Sequence, residues 1–99
     1  MKVSRLAAHL VAVLGLTFAF TAQSQAQTVL KIGWTNTIDS HYGVGVTTFG
    51  DEVFKRTNGR YKLQYFPAGA LGGEREMLEA VQLGTQDMII TSTGPVGNF

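Results

Sequence analysis

Apolar positions in this chain are spaced in more than one way, and each spacing predicts a different element. Residues 29–34 (VLKIGW) form a short run of β-branched and aromatic side chains, stopped by the polar Thr35, Asn36 and Thr37, which predicts a strand. Downstream, Val46, Phe49, Gly50 and Val53 return at helical spacing with Phe54 alongside. Asp39 and Ser40 offer N-cap side chains and Asn58-Gly59 offers a left-handed C-terminal cap, so a helix is expected over 42–57. Its glycines at 43, 45 and 50 either cost stability or allow close packing. Residues 61–66 (YKLQYF) alternate, with Tyr61, Leu63 and Tyr65 on one face and Lys62, Gln64 and Phe66 on the other, which predicts a second strand. Residues 74–83 carry Met77, Leu78 and Val81 on one helical face, acidic residues at 74, 76 and 79, and Gly84 at the end. Residues 87–92 predict a third strand, whose continuous apolar centre implies burial on both faces.

The order strand, helix, strand, helix, strand with short connections specifies an α/β fold with a parallel sheet and right-handed crossovers. All three strand ends, at 35–37, 67–73 and 91–94, then fall on one edge of the sheet, where open parallel sheets bind ligands. The middle one is an elbow. Pro67 cannot continue a ladder, and glycines at 69, 72 and 73 let the backbone turn and approach other groups, so this loop positions something. Residues 94–99 read as a loop, and the chain as the front piece of a longer protein.

The first residues change how the composition is read. Lys2 and Arg5 precede an apolar run over 6–20 and a small, polar stretch ending Ser24-Gln25-Ala26, the layout of a secretory leader over 1–26 cleaved after Ala26. The alternative is an uncleaved membrane anchor. Of 99 residues, 44% are hydrophobic and 15% charged, as in a globular protein. The 8 basic and 7 acidic residues become 6 and 7 without Lys2 and Arg5, a net charge of −1, so the basic balance of the whole chain is no argument for nucleic acid. There is no cysteine to staple so small an exported domain, and His41 is the one histidine past the leader.

Tests for chemistry mostly fail. Gly43-x-Gly45 lacks the third glycine of a dinucleotide fingerprint, and no Gly-Lys-Ser/Thr triplet supports a phosphate loop. One histidine offers no metal spacing. Ser92 stands at a strand end where His41 and Asp39 could share the edge, but Thr91-Ser92-Thr93-Gly94 is not the glycine-flanked elbow of a hydrolase serine. His41 is equally a surface residue at a helix start. Glu74, Glu76 and Glu79 read as a solvated face, with Arg75 and Glu79 an i,i+4 pair. Glu74 has a second reading, since it opens its helix where the elbow meets the ligand edge and can accept a hydrogen bond from a ligand hydroxyl.

The run Tyr65-Phe66-Pro67-Ala68-Gly69-Ala70-Leu71-Gly72-Gly73-Glu74-Arg75-Glu76, followed by Glu79-Ala80-Val81-Gln82-Leu83-Gly84-Thr85-Gln86-Asp87-Met88, resembles the DctP-like extracytoplasmic solute-binding proteins of TRAP transporters. Residues 29–34 and Phe49-x-x-Glu52-Val53 through Asn58-Gly59 match the family's opening. The resemblance implies a periplasmic-binding-protein-like (type II) clamshell, of which residues 27–99 hold the first β-α-β-α-β part of the first lobe. It implies a monomeric periplasmic receptor that captures a small organic acid, a C4-dicarboxylate or a sugar acid, for the membrane permease subunits of a TRAP transporter. It implies no catalysis and no cofactor. The arginine that clamps the ligand carboxylate in this family belongs beyond Phe99 and is not Arg75. Carried over by position, Thr35, Glu74 and Ser92 are the substrate-binding candidates, with His41, Thr93 and Asn36 as their neighbours. Serine at 92 is smaller than the acidic residue some members carry, which weighs against a sialic-acid-like ligand. The competing readings are a secreted α/β hydrolase using Ser92 and an interaction domain whose elbow only positions a helix.

Overall fold

Two crossover units share a three-stranded parallel sheet. In a computed structural model of the chain, the described residues are 26–99, so the expected leader, apart from Ala26, lies outside the described residues. Strand β1 (Thr28–Gly33) leads to helix α1 (His41–Arg56), strand β2 (Tyr61–Phe66), helix α2 (Glu74–Leu83), the short strand β3 (Met88–Ile89) and a single turn, α3 (Thr93–Val96). The sheet order is β2-β1-β3, all parallel, with Leu30 opposite Leu63 and Ile32 opposite both Tyr65 and Met88. Among the described residues no helix is long and apolar enough to cross a membrane.

Strand alternation sends the two helices to opposite faces of the sheet. Ile32, Trp34 and Leu63 point to one face and meet Val46 of α1 in a buried cluster, against which Leu30, Tyr42, Val53, Tyr65, Met88 and Ile90 pack. Gly33 faces the other way: a Cβ there would lie 2.8 Å from the Met77 sulfur of α2 and 3.3 Å from Leu71 of the elbow. Met77 is fully buried at this point, worth about 1.5–3 kcal/mol for a side chain of its size.

Helix α1 starts one residue before the expected position and is capped by Ser40, not Asp39. The Ser40 hydroxyl accepts from the Gly43 N–H at 3.2 Å and donates to the Thr37 carbonyl at 2.6 Å. Asn58 (φ 53°) and Gly59 (φ 75°) close the helix in the left-handed region, with the Gly59 N–H on the Phe54 carbonyl at 2.8 Å. The helix glycines differ by position. A Cβ on Gly43 would strike the Ile38 carbonyl and one on Gly50 the Tyr65 hydroxyl, whereas one on Gly45 would meet nothing within 4 Å. Tyr65 is thus clamped between strand and helix, edge-to-face with Trp34 at 6.4 Å and 72°. Burial, and secondarily the negative charge of Asp51, raises its phenol above the ordinary value.

Strand β2 and helix α2 fall where the periodicity placed them. The third strand does not extend over 87–92: only Met88 and Ile89 pair, and residues 88–90 are half-buried rather than sealed on both faces. The cause is Asp87. Its N–H donates to the Lys31 carbonyl at 3.2 Å while its own carboxylate accepts the Lys31 N–H at 2.7 Å, so a side chain takes the place of a ladder bond. Residues 94–99, expected as a loop, begin with the last part of α3.

Candidate functional site at the strand ends

Backbone hydrogen bonds continue past the ends of the strands and stitch their loops together. The Trp34 N–H donates to the Phe66 carbonyl at 3.2 Å, and the Ile90 N–H to the Gly33 carbonyl at 3.2 Å. Beyond them, the Gly69 N–H donates to the Trp34 carbonyl at 3.0 Å and the Ala68 N–H to the Asn36 carbonyl at 2.7 Å. The elbow is therefore fastened to the loop after β1, on either side of Thr35. It reaches that geometry through left-handed residues at Ala68 (φ 55°), Gly69 (φ 69°) and Gly72 (φ 107°), and of these Ala68 takes the conformation without glycine's freedom.

From the elbow the chain enters α2 at Glu74. That side chain is half-buried, and its Oε1 accepts the Thr91 hydroxyl at 2.8 Å. One bond thus ties the start of α2 to the segment leaving β3. Ser92 follows as the exposed N-cap of α3, and its side chain makes no capping bond. Thr93 and Thr35 are exposed as well. The structure places Thr35, Glu74, Ser92 and Thr93 on the C-terminal edge of one parallel sheet, as the strand order requires. His41 is different: it opens α1, its ring lies against Tyr42 with centroids 4.3 Å apart and planes tilted by 36°, and among the described residues no hydrogen bond joins it to the other candidates.

Sequence reasoning missed three residues here. Thr91 carries the bond to Glu74, Asp87 substitutes for a ladder partner, and Gln86 is 3% exposed, with its Nε2 donating to the Met88 carbonyl at 2.8 Å. Its Oε1 is buried without a donor among the described residues. A polar residue between Gly84 and an apolar run reads as turn chemistry, so the sequence carries no signal for Gln86, whose amide lies where a Cβ on Gly33 would stand 3.1 Å from its Nε2.

The edge holds no cation: residues 35–37, 67–74 and 91–93 contain no lysine, arginine or histidine, and Arg75 beyond them pairs with Glu79 at 3.2 Å on the exposed side of α2. No group of three or more metal-ligating side chains occurs among the described residues. A concavity of about 310 Å³ lies instead beside β2, lined by Gly50, Asp51, Phe54, Leu63 and Tyr65, away from the strand ends. The edge itself is an open shelf of hydroxyls with one carboxylate, able to exchange hydrogen bonds with a polyhydroxy ligand.

The sequence profile of DctP, the bacterial extracellular solute-binding protein family 7, matches residues 32–99. The chain belongs to this family. DctP proteins and the neighbours below are solute-binding receptors, not enzymes, and the hydrolase reading of Ser92 finds no support. A solute-binding protein of Verminephrobacter eiseniae is 51% identical over 78 residues, covering 79% of this chain and 23% of that protein. The crystal structure of a TRAP periplasmic solute-binding protein from Polaromonas sp. JS666, bound to D-erythronate, is 70% identical with a TM-score of 0.71, covering 74% of this chain and 24% of that one. Another TRAP periplasmic solute-binding protein, from Citrobacter koseri with bound D-glucuronate, is 33% identical with a TM-score of 0.69, covering 71% and 23%. This DctP chain therefore spans about a quarter of the length of the relatives it matches.

Proposed function

We propose that this chain forms the first part of lobe one of an exported, monomeric periplasmic receptor, which captures a hydroxylated organic acid and delivers it to the permease subunits of a TRAP transporter. Residues 1–26 act as the cleaved leader and residues 27–99 as the front of the solute-binding domain. The C-terminal edge of the sheet is one wall of a cleft, and Thr35, Glu74 and Ser92 face the ligand there, with Thr93, His41 and Asn36 at the margin.

The observation that carries this reading is the chemistry of the edge. It bears hydroxyls and the Glu74 carboxylate and no cation, which suits the polyol part of a sugar acid and leaves the ligand's own carboxylate to a cationic partner elsewhere in the protein. A 70% identical receptor that holds D-erythronate supports the same ligand class. The reading is tested on the full-length protein with a thermal-shift panel of aldonic acids, uronic acids and C4-dicarboxylates. A ligand that binds only the folded form at about 100 times its Kd stabilises it by ~2.7 kcal/mol. A rise in Tm with a hydroxylated acid is expected, and no shift with any acid would contradict the receptor reading.

A further inference from the structure

Three carboxylates occupy α2, and only one is immobilised toward the strand ends. Glu79 turns outward to Arg75 with half of its side chain exposed, and Glu76 is exposed beside the elbow glycines. Glu74 is half-buried and held by the Thr91 hydroxyl across 17 residues of sequence. Resting on the receptor reading above, we propose that Thr91 is a positioning residue: by fixing the Glu74 carboxylate, it makes this pair the element that selects a hydroxylated monocarboxylate over a dicarboxylate of the same length.

Donor and acceptor capacity separates the side chains on this edge. The hydroxyls of Thr35, Ser92 and Thr93 both donate and accept, so they meet a ligand hydroxyl or a ligand carboxylate equally well. An ionised carboxylate only accepts. D-erythronate and succinate are both four-carbon acids; gripped by one carboxylate, they differ at C2 and C3, where D-erythronate alone carries hydroxyls, and at the far end, where one carries a hydroxymethyl donor and the other a second negative charge. A fixed Glu74 accepts from the first and repels the second, and no lysine, arginine or histidine on this edge offsets the repulsion. Discrimination of this kind depends on the carboxylate being unable to swing away. A free glutamate has three side-chain torsions to do so, and the 2.8 Å bond from Thr91 removes that freedom by engaging Oε1. Thr91 reaches Glu74 because β3 ends after two residues, which leaves its hydroxyl just beyond the ladder. Hydrogen bonds to charged groups are among the stronger polar contacts, so loss of this alignment is readable in affinity.

The test is isothermal titration of the full-length receptor with D-erythronate and with succinate. Wild type is expected to bind D-erythronate and to bind succinate much more weakly. Thr91→Val, isosteric without the hydroxyl, is expected to weaken D-erythronate on the order of tenfold while narrowing the gap to succinate. Thr91→Ser keeps the donor and is expected to restore the wild-type preference. Because Thr91 acts through Glu74, adding Thr91→Val to Glu74→Ala should cost no further affinity. Equal weakening of both ligands by Thr91→Val, a wild-type preference in that variant, or additive losses in the double variant would overturn the assignment. Should Thr91→Val fail to fold, Glu74→Gln alone decides: it must raise succinate affinity relative to D-erythronate, and an unchanged ratio contradicts the proposal. A wild type that binds neither acid and no other hydroxylated acid contradicts the receptor reading itself.

Discussion

The β1-α1-β2 unit and the β2-α2-β3 unit share a strand and a connection type, but different interactions hold them. In the first, six strand pairs run in register, a helix of 16 residues lies over them, and Trp34, Val46 and Leu63 form a buried apolar cluster with Tyr65 packed against it. In the second, the helix has 10 residues, the strand two, and the joints are polar: Asp87 on the Lys31 N–H, Gln86 on the Met88 carbonyl, Thr91 on Glu74. Packing makes the first unit a rigid support. The second places donors and acceptors at the strand ends, and there the residues that shape the candidate site also hold the backbone.

The largest effect is therefore expected from the packed unit. Trp34→Ala empties a fully buried site at the centre of the cluster and should destabilise the protein by about 3–5 kcal/mol, measured by urea unfolding of the full-length protein. A loss below 1 kcal/mol would mean that Trp34 is not central to the support. Asp87→Ala should cost less, about 1 kcal/mol, because the Lys31 N–H it leaves lies on an exposed part of the strand and regains water. Asp87→Asn retains an acceptor and should recover part of that loss. Equal costs at Trp34 and Asp87 would erase the contrast between the units.

The smallest effect is a pH dependence within the packed unit. Tyr65 has its pKa raised in the folded state, chiefly by burial and then by Asp51. Its contribution to stability is complete below the unfolded tyrosine value of about 10 and is lost as pH rises through the higher folded value. Unfolding midpoints should fall at alkaline pH more steeply for wild type than for Tyr65→Phe. Parallel curves for the two proteins would show that the phenol is not held in its neutral form.

The same contrast explains what the sequence made legible. Alternation over 61–66 and the amphipathic stretch ending at Gly84 located β2 and α2, because packing leaves a periodic trace in residue type. The polar joints leave none. Asp87, Gln86 and Thr91 looked like strand or turn residues, and their partners lie 56, 2 and 17 positions away with no period to announce them. The third strand was overestimated for that reason. Glu74 stands out by its place at the elbow, but the bond that fixes it comes from Thr91, just past the end of β3, and nothing in the residue pattern marks that end.

In the proposed receptor, ligand meets this chain at the strand ends built by the second unit. Amide hydrogen exchange on the full-length protein, with and without saturating D-erythronate, tests it most directly. The expected result is added protection concentrated at residues 35–37, 68–74 and 90–93, with little change along the solvent side of α1. Protection confined to α1 or to the concavity beside β2, with the strand ends unchanged, would contradict it.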